Sequence, residues 1–233
     1  MNVIAAILIA VIVVAALVAL GWWLFIETEG VYLGRRVVIW LYDLYAARYD
    51  RIKKFQRHYD HMFLAQPLME RIAPNESPRV LDVATGTGRL PLALIRHKRF
   101  RGQVIGLDLS RRMLDHAADK LADRRVQWVC APAESLPFPT GTFDVVTCLE
   151  AIEFMTRRET ALREMIRVLR PGGILLATNR IHARWMVGKT YKDDDLAALL
   201  QRLGMGQVEI ESWQVDYDLV WGYKKQTTAP PAD

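Results

Sequence analysis

Charged side chains are missing from the first 26 residues, and almost every residue from Val3 to Ile26 is apolar. About 20 apolar residues are enough to cross the hydrocarbon core of a bilayer. A signal peptide has a basic stretch before an apolar stretch of about 7–15 residues. This run is longer and has no Lys or Arg before it. We therefore expect residues 1–28 to form one transmembrane anchor, with a cleaved signal peptide as the alternative.

Cysteine is scarce, since Cys130 and Cys148 are the only two, and each falls within a predicted strand. We expect both to be reduced thiols buried in a core. The sequence contains no metal-ligand spacing and no serine-centred nucleophile motif. It also lacks a recognisable nucleic-acid reading motif, although its net charge is +5. A metal site and a nucleic-acid partner are therefore not predicted.

Basic residues are concentrated just after the apolar run: Arg35, Arg36, Arg48, Arg51, Lys53, Lys54 and Arg57. Loops rich in Lys and Arg stay on the cytoplasmic side of a membrane. The pattern predicts a single-pass protein with its N-terminus outside and the rest of the chain in the cytoplasm.

Strand and helix patterns alternate after the turn-rich stretch that ends at Pro78. Predicted strands cover 79–84, 103–109, 126–131, 143–149, 173–179, 208–215 and 217–224. Predicted helices lie near 89–98, 111–122, 157–169 and 193–203. Such alternation predicts an α/β fold with a doubly wound, seven-stranded, mostly parallel Rossmann-like sheet. The last two strands are too close together for a helical crossover, so the last strand must be antiparallel.

The predicted organisation has four parts. The anchor covers 1–28, N-terminal helices cover 29–75, the α/β domain covers 76–225, and a disordered tail covers 226–233. One N-terminal helix is expected to follow residue 31 and another to run from Phe55 to Ile72. We detect no internal repeats.

A glycine loop joins the first predicted strand to its helix, in the segment VLDVATGTGRL (80–90). Gly86 and Gly88 allow close approach of a ligand to the backbone. A dinucleotide-binding loop has a third glycine where this chain has Pro91. The carboxylate of Asp82 would repel a phosphate and could receive an ammonium group. Together with Asp108 at the end of the next strand, the loop favours a cofactor with a ribose and an amino-acid end.

Four ordered segments carry a family resemblance: VLDVATGTG, GLDLS, AESLPFPTGTFDVVTC and VLRPGGILLATN. In order and spacing they resemble the class I S-adenosylmethionine-dependent methyltransferases. The nearest group is that of the ubiquinone and menaquinone C-methyltransferases (the methyltransferase type 11 group). The segment LYDLYAARYD (41–50) is similar to that group's N-terminal Tyr-Asp segment, which covers the cofactor pocket.

The resemblance implies S-adenosyl-L-methionine as the cofactor. It implies that the loop from Asp82 to Gly88 holds the methionine end, that Asp108 binds the ribose, and that Leu109 packs on adenine. The residues implied to bind cofactor are Asp82, Ala84, Thr85, Gly86, Gly88, Asp108, Leu109, Ala133, Glu134 and Leu149.

No convincing catalytic base is evident in the sequence, and Glu150, His182 and Tyr49 are the candidates. The sulfonium already activates the methyl group, so the protein must mainly align donor and acceptor. Each candidate also has a structural interpretation, as a dipole partner, a surface residue or a packing residue.

The predicted function is methyl transfer from S-adenosylmethionine to a lipophilic small molecule at the membrane, such as a quinone precursor or a lipid. One alternative is a methyltransferase for a soluble metabolite or a membrane-associated protein. Another is a non-catalytic, membrane-tethered binding module. It is suggested by Pro132, which stands where members of the resembled family often have an Asp that accepts from adenine.

Overall fold

The structure is a computed structural model that describes residues 2–53, 56–181 and 186–226, without the side chain of Arg57. Its first element is helix α1, Val3–Trp22, which continues into a π-helical turn, Trp23–Glu27. The Asn2 side chain accepts from the Ile4 backbone N–H at 3.3 Å and caps the helix. No residue of α1 is buried. By length and composition Val3–Glu27 is able to cross a membrane, a property that it shares with signal sequences.

A seven-stranded sheet forms the body of the protein, with the order β3-β2-β1-β4-β5-β7-β6. Its strands are β1 Arg79–Val83, β2 Gln103–Asp108, β3 Val126–Cys130, β4 Phe143–Cys148, β5 Leu169–Arg180, β6 Met205–Ser212 and β7 Tyr217–Lys224. Strands β1 to β5 are parallel, and β7 pairs antiparallel with both β5 and β6. The predicted α/β class, the sheet type and the antiparallel end are confirmed.

Helices cover both faces of the sheet, as the apolar strands require. The helices of the body are α6 Arg89–Arg96, α7 Arg111–Lys120, α8 Arg158–Val168 and α9 Asp193–Arg202. Two apolar clusters lie on the two faces, one centred on Val146, Leu162 and Leu175, the other on Leu94, Leu176 and Trp221. The order of strands reverses at β1 and β4, so ligands are expected at the carboxyl edge there.

The N-terminal helices are shorter than predicted. They are α2 Arg35–Tyr45, a 3-10 turn Ala46–Arg48, α3 Tyr49–Ile52, α4 Arg57–Asp60, a π turn His61–Ala65 and α5 Gln66–Arg71. The last of these packs its Leu68 and Met69 into the core. Helix α2 and the 3-10 turn lie over the carboxyl edge of the sheet, where Leu41 and Ala46 are buried, whereas the π turn packs Leu64 and Ala65 into the core.

Three sequence predictions need correction. Strand β5 begins at Leu169 rather than 173, because Leu169 pairs with Phe143 before a register shift in β4. Strand β6 begins at Met205 rather than 208. Met205 directly follows Gly204, whose backbone has a positive φ, and it pairs with Lys224. Cys148 is buried, but Cys130 is exposed because it lies in the edge strand β3. The predicted tail falls almost wholly on residues 227–233, outside the described part of the chain.

Candidate functional site

A cavity opens at the carboxyl ends of β1, β2 and β4, beneath α2 and Tyr49. We call it the edge cavity. Its walls consist of Arg35, Val38, Ile39, Tyr42, Tyr49, Ala84, Gly86, Leu107, Asp108, Leu109, Ser110, Ala131, Ala133, Glu134, Leu149, Glu150, Ala151, Phe154, Met155 and Thr156. The cavity lies where the strand order reverses, between β1 and β4, and most of the residues predicted to bind cofactor lie there.

Most of the predicted site residues meet in the edge cavity. Those that line it are Tyr49, Ala84, Gly86, Asp108, Leu109, Ala133, Glu134, Leu149 and Glu150. Asp82, Thr85 and Gly88 do not line it, and His182 lies outside the described residues.

Asp82 lies beneath the loop. Its two carboxylate oxygens accept from the hydroxyls of Thr85, at 2.5 Å, and Thr147, at 2.6 Å. Burial raises the pKa of Asp82 to about 6. The carboxylate therefore ties the loop after β1 to strand β4.

Gly88 is required for packing. It begins α6 in a left-handed conformation, with φ +75°. A Cβ added at Gly88 would lie 2.7 Å from Cη2 of Trp128, and one added at Gly106 would lie 2.4 Å from the same ring. The indole of Trp128 in β3 therefore fills the space that these two glycines leave.

Gly86 instead presents an open backbone to the cavity. Among the described residues, a Cβ built there would meet Tyr49 alone, at 3.8 Å. The Gly86 N–H donates to the Asp108 carboxylate at 2.8 Å, and the Ser110 N–H donates to its other oxygen at 2.9 Å. Burial raises the pKa of Asp108, which these backbone donors partly offset. Asp108 thus connects the glycine loop to the end of β2.

Two residues of the cavity wall have left-handed backbones without being glycine. They are Ala84, with φ +56°, and Glu150, with φ +51°. Ala84 directly follows β1, and Glu150 comes two residues after the end of β4. Left-handed backbones at residues other than glycine cost about 1–3 kcal/mol each. The Glu150 N–H donates to Thr178 Oγ1 at 2.6 Å, which holds the turn after β4. Strain of this kind concentrates at functional sites.

Arg89 joins two carboxylates beside the cavity. Its guanidinium lies 2.7 Å from Asp60 and 2.7 Å from Glu150, and it stands over the Trp213 ring. All three charged side chains are less than 15% exposed, so the attraction is only weakly screened by water. The Glu150 carboxylate is therefore held as an ion pair.

We call residues 35–52 the roof of the edge cavity, and one face of α2 supplies most of the roof residues that line it. Arg35, Val38, Ile39 and Tyr42 follow the spacing i, i+3, i+4, i+7, which puts them on one side of a helix. Arg35, Val38 and Ile39 were not predicted as site residues, and this helical spacing is the signal that could have identified them.

Polar contacts fasten the roof to the body. Asp43 accepts from the Ser110 hydroxyl, Asp50 accepts from the Thr87 hydroxyl, and Lys120 lies 2.6 Å from Asp50. Burial is the main cause that raises the pKa of Tyr49, so its hydroxyl stays protonated over the physiological range.

The lining suits a cationic ligand with a flat apolar part and a sugar. Three carboxylates line the cavity, and two of them have a guanidinium partner: Glu134 lies 3.8 Å from Arg35, and Glu150 lies 2.7 Å from Arg89. The carboxylate of Asp108 is therefore in excess of these two ion pairs. Apolar side chains after β2 and β3 supply a surface for a flat ring. The open backbone at Gly86 and the acid at the end of β2 complete a set that fits an adenosyl compound with a positive charge.

Comparison with known proteins gives a consistent result. Residues 81–177 match the family described as a methyltransferase domain. The ubiquinone/menaquinone biosynthesis C-methyltransferase UbiE of Azotobacter vinelandii is 39% identical over 145 residues. The match covers 60% of this chain and 57% of that protein. The chain therefore spans less than two thirds of the curated relative that it matches.

Solved structures share the fold. A SAM-dependent methyltransferase from Aquifex aeolicus superposes with a TM-score of 0.58 at 19% identity, over 73% of this chain and 99% of that chain. The [4+2]-cyclase SpnF superposes with a TM-score of 0.59 at 23% identity, over 70% of this chain and 81% of that chain. At these identities the likeness establishes the architecture, which proteins of different function share.

Proposed function

We propose, on the premise that residues 81–177 belong to the methyltransferase-domain family, that the protein methylates a lipophilic small molecule at a membrane with S-adenosylmethionine as donor. The observation that carries the proposal is the edge cavity. It combines the open loop at Gly86, the carboxylate of Asp108 and a roof that adjoins an apolar helix.

S-adenosylmethionine, which this domain family implies, supplies an electrophilic methyl group on a sulfonium. Asp108 would hold the ribose hydroxyls, and Leu109 and Ala133 would flank the adenine. The backbone from Ala84 to Gly86 would hold the methionine end. The carboxylate of Asp108, which is in excess of the ion pairs at Glu134 and Glu150, supports this assignment, since it favours a cation.

The chain's contribution to the chemistry is mainly alignment and exclusion of water. Tyr49 retains its proton because its pKa is raised, and Glu150 is paired with Arg89. Neither group is therefore suited to remove a proton from the acceptor. Tyr42 and Tyr49 instead cover the reacting centre and keep it dry.

The proposed acceptor is a prenylated quinol. The Azotobacter vinelandii relative, named as a ubiquinone/menaquinone biosynthesis C-methyltransferase, supports a quinone-type head group. The apolar helix Val3–Glu27 supports a lipophilic one, because an anchored pocket meets a membrane-dissolved substrate at a high effective concentration.

We further propose that the helix spans the membrane with the sheet domain on the cytoplasmic side. Arg35, Arg36 and the basic residues that follow support this orientation. Cys130 is exposed and Cys148 is buried, so a membrane-impermeant maleimide reports on one site. We expect labelling in inverted vesicles of an expressing bacterium and none in intact spheroplasts. Labelling in spheroplasts would reverse the orientation.

Methyl-labelled S-adenosylmethionine tests the function directly. The full-length protein is incubated in detergent with a membrane lipid extract and with a soluble metabolite extract. We expect label in the organic phase, in a product whose mass exceeds that of its quinol substrate by one methylene group. Label confined to the aqueous phase or to protein would refute the lipophilic acceptor. A protein that binds no cofactor at millimolar concentration would instead be a non-catalytic module.

A further inference from the structure

A second cavity lies between the end of the apolar helix and the roof helices, and we call it the interface cavity. It is lined by Phe25, Ile26, Glu29, Leu41, Tyr42, Tyr45, Tyr49, Ile52 and Lys53. Apart from Glu29 and Lys53, all of these side chains are apolar or aromatic. The match to the methyltransferase-domain family begins at residue 81 and does not include this part of the chain.

One wall of the interface cavity belongs to the apolar helix. Phe25 and Ile26 lie in the last turn of Val3–Glu27, and their side chains are 40% and 54% exposed. If this helix spans a bilayer, its last turn lies at the membrane surface. The cavity then opens where an apolar chain leaves the hydrocarbon core.

The opposite wall adjoins the edge cavity. Tyr42 and Tyr49 line both cavities, and their ring centroids are 5.8 Å apart. A Cβ at Gly86 would meet the Tyr49 ring at 3.8 Å. The two tyrosines therefore form the boundary between the membrane side and the cofactor loop.

The two charged side chains of the interface cavity lie together beside Tyr42. The Tyr42 hydroxyl donates to Glu29 at 2.7 Å, and Lys53 lies 3.5 Å from the same carboxylate. Glu29 has a left-handed backbone, with φ +47°. Strain at a lining residue again suggests a functional constraint. The arrangement, with polar groups beside the tyrosine boundary and apolar walls elsewhere, suits a molecule with one polar head and a long apolar tail.

We propose that the interface cavity binds the prenyl tail of the acceptor, with the head group at the boundary formed by Tyr42 and Tyr49. The proposal rests on the proposed function, and it specifies where the substrate lies. The wall that the two cavities share at Tyr42 and Tyr49 favours the acceptor over a bilayer phospholipid, since a head group at that wall lies next to the cofactor loop.

Two tryptophan substitutions form a matched test. Ile52 lines the interface cavity and is 54% exposed, whereas Leu44 is 56% exposed and lines neither cavity. Both changes add bulk at equally exposed positions of the roof. The full-length enzyme in mixed micelles is assayed with two naphthohydroquinones, one with a single prenyl unit and one with a long prenyl chain.

We expect Ile52→Trp to lower kcat/KM for the long-chain quinol about tenfold and to leave the short-chain quinol within about twofold. Leu44→Trp should leave both within about twofold of the wild type. Equal losses for the two quinols in Ile52→Trp, or equal losses in the two variants, would overturn the tail site.

If neither quinol is methylated, the quinol is refuted as the acceptor. A binding measurement then still tests whether the interface cavity holds the apolar tail of such a molecule. The probe is a hexadecyl hydroquinone with a diazirine in its chain, photolysed with the protein in nanodiscs. We expect cross-links at Phe25, at Ile26 or within residues 41–53, competed by unlabelled long-chain quinol and reduced in Ile52→Trp. Cross-links confined to residues 3–24, or cross-links competed equally by phospholipid, would overturn the proposal.

Discussion

The ring of Tyr49 lies over the backbone of Gly86, where a methyl group would meet Tyr49 Cε1 at 3.8 Å. This contact places an N-terminal roof residue against the loop that follows the first strand of the sheet. The space at Gly86 is open on the cavity side, whereas the space at Gly88 is filled by Trp128. The two glycines of one loop therefore have different roles.

Substitution of the two glycines should separate binding from stability. Both have positive φ, so Ala costs about 1–2 kcal/mol at either position. Gly88→Ala also forces a Cβ to 2.7 Å from Trp128, which adds about 1–3 kcal/mol. We expect Gly86→Ala to weaken S-adenosylmethionine binding at least tenfold with the smaller loss of stability. Urea unfolding and calorimetry measure the two effects, and equal loss of stability in both variants would contradict this division.

Asp82→Asn should change the pH dependence of stability. The pKa of Asp82 is raised to about 6 in the folded protein, against about 3.9 when unfolded. The folded state therefore binds the proton more tightly, and its stability falls as pH rises from about 4 to about 6. The expected fall is about 3 kcal/mol, because each pKa unit corresponds to about 1.4 kcal/mol.

We expect the difference in unfolding free energy between wild type and Asp82→Asn to fall by about that amount between pH 4 and pH 7. Asp123→Asn is the control, since hydrogen bonds from Arg125 lower the pKa of Asp123 to about 2. The stability that the Asp123 carboxylate contributes is lost only as the pH falls toward 2. A pH-independent difference for Asp82→Asn would show that Asp82 does not titrate in this range.

Lys120→Ala should loosen the roof while leaving the fold intact. The Lys120–Asp50 pair joins the roof to α7 at 2.6 Å, with the two side chains 23% and 44% exposed. Pairs this exposed contribute less than about 1 kcal/mol to stability. We expect cofactor dissociation, followed by stopped-flow fluorescence, to become several-fold faster. Arg163→Ala removes the exposed Arg163–Glu159 pair on α8 and should leave the dissociation rate unchanged.

Glu150→Gln tests whether this carboxylate acts as a base. Because Arg89 lies 2.7 Å from Glu150, the carboxylate serves to hold the turn after β4. We expect kcat to fall less than about tenfold, with no loss of an ionisation step from the pH–rate profile. Removal of a positioned base lowers the rate by about 10²–10⁴-fold, so a fall of that size would identify Glu150 as the base.

Much of the sheet and the strand-end residues could be predicted from the sequence. Alternating apolar strands and helices fix the α/β class, and parallel strands bring Gly86, Asp108 and Leu149 to one edge. Such patterns are local and repeat at a known period. Ser110 caps α7 by accepting from the Met113 N–H, and Ser is among the residues that favour this position before a helix.

Contacts between distant residues could not be predicted. Thr147 binds Asp82 across 65 positions, and Trp128 fills the space at Gly88 from a strand 40 positions later. Both depend on strand order and side-chain packing, which no single-chain pattern encodes. The face of α2 could be recognised from its period, but the surface that it covers is set by the three-dimensional fold.

Calorimetry of S-adenosylmethionine binding, with Asp108→Asn and Asp115→Asn as matched variants, tests the edge cavity most directly. Asp108 lines the cavity, whereas Asp115 is exposed on α7 and does not. We expect wild type and Asp115→Asn to bind one cofactor with equal affinity, and Asp108→Asn to bind about 10–100-fold more weakly, since hydrogen bonds to charged groups contribute about 1.5–3 kcal/mol. Equal affinity in all three proteins, or no binding at millimolar cofactor, would contradict the assignment of the edge cavity.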